Sequence, residues 1–228
     1  MGKDFRPLFA LYDSNGVENF RYYKLYKTEK TIGNQTVTEA YIGNQTSVSY
    51  GYSQTFALGS VETLSVAYYD DYSFLGQSSN FICYTEDTLS GDYYRIPKGQ
   101  LTGEIIFALE DSNRKRYVTH YYNNRGWEIQ NNNNDSSGFI DRNYTQYDFV
   151  GNRLQIKHIQ SGFTNTSIEE IYTYVYDHGN RLTEVRHKLN SLPEVVLTEN
   201  EYDEVCRLKR TTMNNGGISS EYSYNIRN

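Results

Sequence analysis

The 228-residue chain is poor in cysteine, proline and tryptophan (2, 3 and 1 residues) and has no long apolar run. Two cysteines make no disulfide framework: Cys83 and Cys206 either pair with each other or, the plainer reading, stay free thiols. Without a stretch near the ~20 apolar residues of a bilayer crossing, no membrane span is expected. The opening MGKDFRPLFA lacks the apolar segment of a signal peptide, and Arg6 stands where a myristoylation signal needs Ser or Thr. No export address is therefore read in the chain itself. Positive charge is also in deficit, with Lys+Arg 22 against Asp+Glu 28 and a net charge of -6. With a pI near 5.3, nucleic acid is a poor partner, because phosphate binding needs clustered cations. GxSxG, a phosphate-cradling glycine loop, HExxH and CxxC are all missing. No catalytic, cofactor-binding or metal-binding residue is assigned, and a non-enzymatic protein is expected.

What the chain has is tyrosine. Hydrophobic residues make up 37 % and mean hydropathy is -0.74, values low for a packed globule. Yet Tyr 24 and Phe 10 argue against disorder, since disordered chains are poor in aromatics. Tyrosine favours strands and can bury its ring while its hydroxyl stays wet. With abundant Asn and with Gly 17, the composition predicts strands joined by tight turns.

One spelling recurs: LYDSNGVE from Leu11, YYNNRGWEI from Tyr121, QYDFVGNRL from Gln146, VYDHGNRLTEV from Val175, EYDEVCRLKR from Glu201 and SYNIRN from Ser223. An aromatic precedes Asp or Asn, in the pairs Tyr12–Asp13, Tyr122–Asn123, Tyr147–Asp148, Tyr176–Asp177, Tyr202–Asp203 and Tyr224–Asn225. Three residues after the Asp or Asn stand Gly16, Gly126, Gly151, Asn180 and Asn228, with Cys206 the exception. From Asn123 the steps are 25, 29, 26 and 22 residues, the mark of a repeat architecture. Asp or Asn opening a type I turn accepts from backbone N–H groups ahead of it. A residue of positive φ then closes the hairpin with a bulge, which Gly or Asn does at least strain. Flanking runs alternate: Tyr172, Tyr174 and Tyr176 share one face, as do Thr183, Val185, His187 and Leu189. The motif reads as a hairpin tip, and its repetition as a ladder of hairpins. His158 and His187 fall eleven residues after Tyr147 and Tyr176, so they are copies of one strand position rather than a metal pair. Asp148, Asp177 and Asp203 read as turn caps, with calcium or sugar contacts the alternative.

The runs YDFVGNRL, YTYVYDHGNRLTEVRHKLN, ENEYDEVCRLKR and YSYNIRN resemble the bacterial Rhs/YD-repeat family over about Leu101–Asn228. LYDSNG, AYYDDYSFLG and RIPKGQLTG extend the likeness more weakly towards the N-terminus. The resemblance implies an all-β fold of repeated antiparallel hairpins in a curved, spiralling sheet, part of a shell enclosing a C-terminal toxin. It implies as partners the remaining YD repeats and that passenger, in a parent protein that is secreted or at the cell surface. No segment matches the self-cleaving core domain of some relatives, so none of its catalytic residues is carried over. Cys206 departs from the family turn and predicts local strain. In AYYDDYSFLG the turn glycine is missing, which predicts another turn type or none. Tyr224–Asn228 spells a turn without a return strand, so the chain is expected to be a piece of a longer shell protein, with open edges prone to self-association.

Residues 1–103 are expected to form an irregular Tyr-rich β region and 104–228 the hairpin array. IGNQT occurs at Ile32–Thr36 and Ile42–Thr46, and VSYGY sets Val48, Tyr50 and Tyr52 on one face. EIIFALEDSNRKRYVTHYY reads as a hairpin with DSNR as its tip. QNNNNDSSGF, Gln130–Phe139, reads as a polar loop and the best candidate for flexibility or proteolysis. Trp127 is expected to pack, with contact to a sugar as the alternative. The leading functional expectation is a wall segment of a toxin-enclosing shell. The alternative is an adhesion or carbohydrate-binding module, and a remnant of a recombined locus stays open as well.

Overall fold

The computed structural model describes residues 6–12, 18–24, 28–32, 35–41, 49–54, 62–111, 113–135, 137–162 and 167–225, with side chains at 50–52 and from 64 on, save Gln77. The structure is almost entirely β. Its strands are β1 (Arg6–Tyr12), β2 (Glu18–Lys24), β3 (Thr28–Ile32), β4 (Gln35–Tyr41), β5 (Tyr52–Gln54), β6 (Glu62–Thr63), β7 (Ser65–Tyr69) and β8 (Leu101–Phe107). They continue as β9 (Lys115–Tyr122), β10 (Glu128–Asp135), β11 (Ile140–Tyr147), β12 (Arg153–Ser161), β13 (Ile168–Tyr176), β14 (Leu182–Leu189), β15 (Val195–Tyr202), β16 (Leu208–Met213) and β17 (Ile218–Glu221). Strands β7 to β17 follow one another in chain order across an open 11-stranded antiparallel sheet. Two three-stranded sheets, β2-β1-β6 and β3-β4-β5, precede it. No described helix is long and apolar enough to cross a membrane. The chain divides into two compact units, 1–85 with 93–140, and 86–92 with 141–228.

The first unit has a true core. Tyr52, Val66, Tyr68, Phe74, Phe81, Ile105, Phe107 and Tyr117 form one buried cluster. Aromatic rings do most of the filling: Tyr68 stacks on Phe74 at 4.5 Å, and Phe81 meets Phe74 and Tyr117 edge-on at 4.9 and 5.2 Å. Phe74 lies on a short 3-10 turn, Ser73–Gln77, and its ring rests against Gly103 of β8, where any Cβ would overlap it. The glycine in β8 is thus a place for a ring, not a turn.

Residues 78–85 cross this unit without forming a strand, and side chains hold them instead. The Ile82 carbonyl accepts from Thr119 Oγ1 (3.0 Å), Tyr121 OH (3.0 Å) and Asn132 Nδ2 (3.4 Å). Asn134 Nδ2 donates to the Asn80 carbonyl at 2.8 Å, and the Thr85 N–H donates to Gln130 Oε1 at 3.4 Å. The asparagine run expected to be a loop is therefore strand β10. Gln130 and Asn132 are each 1 % exposed and face the crossing segment, while Asn131 and Asn133 bond one another on the opposite face (2.9 Å). Alternation makes this a strand, and the amides supply the polar partners that a strandless backbone needs when covered. The expected DSNR hairpin is present between β8 and β9, with Arg114 N–H donating to the Asp111 carbonyl (2.9 Å) and Asn113 N–H to Asp111 Oδ1 (3.0 Å).

The second unit is thin. Among the described side chains of its strands only Tyr144 and Thr211 are buried. Its register, Tyr172↔His187, Tyr174↔Val185, Val185↔Thr198, Thr198↔Met213 and Met213↔Ile218, gives one face of aromatic, β-branched and apolar residues. The other face is charged: Glu184↔Glu199, Glu201↔Arg210 and Arg210↔Glu221. The like charges of Glu184 and Glu199 are offset by Arg186, whose guanidinium grips Glu184 at 2.7 Å. Residues 86–92 attach through Asp87, which pairs with Lys157 Nζ at 2.9 Å. Such a sheet is held by cross-strand pairs and its turns more than by a core.

Candidate functional site

The recurring Tyr-Asp pair has two separate jobs. The acid caps its own turn. Asp177 Oδ1 accepts from the N–H groups of Gly179 (2.8 Å) and Arg181 (3.0 Å), while Arg181 Nε donates to Oδ2 at 2.7 Å. Asp203 repeats this with Val205 N–H (3.0 Å), Arg207 N–H (2.8 Å) and Arg207 Nε (2.8 Å). Asp148 takes the N–H groups of Val150, Gly151 and Asn152, with the Asn152 side chain on Oδ2 (2.8 Å). Asn123 Oδ1 takes Arg125 N–H and Trp127 N–H at 2.9 and 3.0 Å. The Arg181 side chain and the backbone donors together hold the Asp177 carboxyl down to about 2. At Asp203 the Arg207 N–H leads the same effect, and at Asp148 desolvation, the largest single influence, is outweighed by the Asn152, Gly151 and Val150 donors together.

The closing residues have left-handed backbones: Gly126 (φ 79), Gly151 (φ 106), Asn180 (φ 58) and Cys206 (φ 67). Bulges fall beside the tips, at Glu128/Gln130, Val175/Tyr176 and Glu201/Tyr202. Cys206 adopts the strained conformation although it is not Gly or Asn, and it is exposed, as is Cys83; both thiols are free.

The tyrosine docks its hairpin onto an earlier strand. Tyr122 OH donates to the Leu101 carbonyl (2.8 Å), Tyr176 OH to Arg153 (3.1 Å), Tyr202 OH to Leu182 (2.9 Å) and Tyr224 OH to Leu208 (2.8 Å). In the last two cases the arginine that clamps the preceding tip also covers the ring. Arg181 lies 4.8 Å from the Tyr202 centroid and Arg207 4.6 Å from that of Tyr224, an attractive placement. Tyr147 shares the pattern by position at the end of β11. Tyr12 ends β1, but Asp13, Gly16 and Asn228 lie outside the described residues. Asn225 is exposed.

Asp135 is a cap that sequence reasoning missed, at the far end of β10. Its Oδ1 accepts from Ser137 and Phe139 N–H groups (both 2.9 Å), and Gly138 closes the turn at φ 86. The D-S-S-G spelling was its signal, hidden by the absence of a preceding aromatic. At Asp70 the turn is of another kind: φ is 73, and Asp71 Oδ1 caps Ser73 at 2.9 Å.

His158 and His187 share one face. His158 Nε2 sits 2.6 Å from Asp141 Oδ1, with Nδ1 3.5 Å from Glu170 Oε2, and the His187 ring lies tilted against Tyr172 at 4.6 Å. Among the described residues, no group of three or more His, Cys, Asp or Glu is placed to hold a metal ion.

Beside the Asn123 tip lies an open groove of about 300 Å³, lined by Tyr94, Ile96, Pro97, Lys98, Gln100, Asn123, Asn124, Arg125 and Gly126. Trp127 is half-buried outside this lining, with the Arg125 guanidinium 5.0 Å over its ring. No protein-family model matches this chain, and no curated protein sequence does.

Proposed function

We propose that the chain is a non-enzymatic wall segment of a shell of the Rhs/YD-repeat kind, whose complete form encloses and helps deliver a C-terminal toxin domain. The observation behind this reading is the docking rule. Tyr176, Tyr202 and Tyr224 each bond a strand of the hairpin before their own, so the second unit extends hairpin by hairpin without a central core. A wall made this way can extend until it surrounds something. Its half-exposed face of Tyr, Thr, Val and His offers a passenger chain rings and short side chains. Reading the gene past the Asn228 codon tests the proposal. Further in-phase Tyr-Asp turns, followed by a segment toxic when expressed alone and protease-resistant within the parent, are expected. A passenger digested equally fast with or without the repeats would remove the container reading.

A second reading, an adhesion or carbohydrate-binding module, is favoured by the groove at the Asn123 tip, where a ring and several amides border open space.

A further inference from the structure

We infer that the Asn215-Gly216 step, in the turn between β16 and β17, is a self-modification site where the chain forms isoaspartate and releases its edge strand. Asparagine is chemically labile when its side chain can meet the backbone nitrogen of the next residue and that nitrogen is free to attack. Four described asparagines have left-handed backbones: Asn180 (φ 58), Asn190 (φ 50), Asn214 (φ 52) and Asn215 (φ 51). Three of them are restrained. Asn180 Oδ1 accepts from Asn152 Nδ2 at 3.4 Å, and the N–H after it, of Arg181, donates to Asp177 Oδ1 at 3.0 Å. Asn190 Oδ1 accepts from the Glu169 N–H at 2.8 Å. The N–H after Asn214 donates to the Val196 carbonyl at 3.1 Å.

Asn215 has neither restraint. Among the described residues no hydrogen bond reaches its side chain or the Gly216 N–H. Gly216 (φ 91) faces open space, with nothing within 4 Å of where a Cβ would stand. The Gly217 N–H donates to the Asn214 carbonyl at 3.1 Å. With positive φ at both central residues this is a type I′ turn, for which Asn-Gly is a favoured pair. The pair that closes the hairpin is thus also the reactive one.

The Gly216 nitrogen, its proton passed to solvent base, bonds to Asn215 Cγ, and the side-chain amide takes up a proton and leaves as ammonia. A cyclic imide results. Water then adds to one of its two carbonyl carbons, the C–N bond there breaks, and the nitrogen recovers its proton. Opening at the main-chain carbonyl leaves isoaspartate, with the backbone routed through the side chain; opening at Cγ leaves aspartate. Isoaspartate adds a carbon to the backbone of a turn that sets the register of β17. That strand has little else to hold it: its residues are all exposed and its register pairs lie with β16 alone. Elements with few buried contacts open at low cost, so the tip reaches the reactive geometry and the lengthened turn lets β17 go.

The experiment is incubation of the whole chain at mildly alkaline pH in heavy-oxygen water, then tryptic digestion in ordinary water and labelling with an isoaspartate methyltransferase. Peptide 211–227 is expected to lose ammonia and gain one heavy oxygen at position 215, isoaspartate outweighing aspartate and the rate rising with pH. Asn215→Gln should abolish this labelling, and Asn214→Gln should leave it unchanged. Hydrogen exchange in β17 should quicken in step with conversion while that in β12 and β13 stays constant. An Asn215 amide intact after prolonged incubation, or equal conversion at Asn180 or Asn190, overturns the site. Conversion without faster exchange in β17 overturns the strand release.

Discussion

Cys206 is the residue that fits its place least well. Left-handed backbone costs a side-chain-bearing residue roughly 1 kcal/mol relative to glycine, and the thiol gains nothing visible in return. Cys206→Gly is therefore expected to raise the urea midpoint by the equivalent of about 1 kcal/mol; an unchanged or lower midpoint would count against the strain. Asp177 makes an acid-limb prediction. Its carboxyl titrates at about 2 in the fold against roughly 3.9 when free. A depressed acid stabilises the folded state fully above the free value, and the contribution disappears as pH falls from about 4 towards 2. Plotted against pH, the urea midpoint of Asp177→Asn should fall less steeply in that window than that of the parent chain. Parallel curves would mean the Arg181 clamp is formed equally in the unfolded state.

At the scale of elements, the hairpins β11–β12, β13–β14 and β15–β16 were legible because period-2 alternation and Tyr-Asp spelling point to the same turns, unlike β10, whose asparagines read as a loop. The crossing segment 78–85 was not, because its partners are side-chain amides spaced two apart in β10, and asparagine is a poor strand former that reads as loop. Asn132→Leu should expose this arrangement: the Ile82 carbonyl and Thr119 hydroxyl lose a donor, at about 1–3 kcal/mol. Hydrogen exchange should then quicken across 78–85 first. Gly103 was equally unreadable, since nothing local says that Phe74 lies across it. Gly103→Ala is expected to cost about 1–3 kcal/mol by overpacking, and Phe74→Leu in the same chain should recover part of it. The Asn123 groove was missed for a related reason. Its two walls, 94–100 and 123–126, are brought together by the fold, and Trp127, the aromatic that drew attention, packs under Arg125.

For the whole molecule, the second unit lacks a core to hold its strands in common, so each hairpin answers to its neighbours. Stability in such arrays is close to a sum of local and nearest-neighbour contributions. β17 is the last strand of the sheet among the described residues, and its Ile218 and the paired Met213 of β16 are exposed. Concentration-dependent association is expected in sedimentation, and Ser219→Lys with Ser220→Lys should suppress it. The docking of Tyr122, Tyr176, Tyr202 and Tyr224 on earlier strands has an evolutionary meaning too. Excising Asp177–Tyr202 joins Tyr176 to Asp203 and keeps every remaining tip in phase; the shortened chain should fold, whereas removing one residue fewer should not, because a one-residue slip turns each strand over. Recombination between such genes can thus add or drop a hairpin at any tip, and selection can set the length of the protein without redesigning its interior.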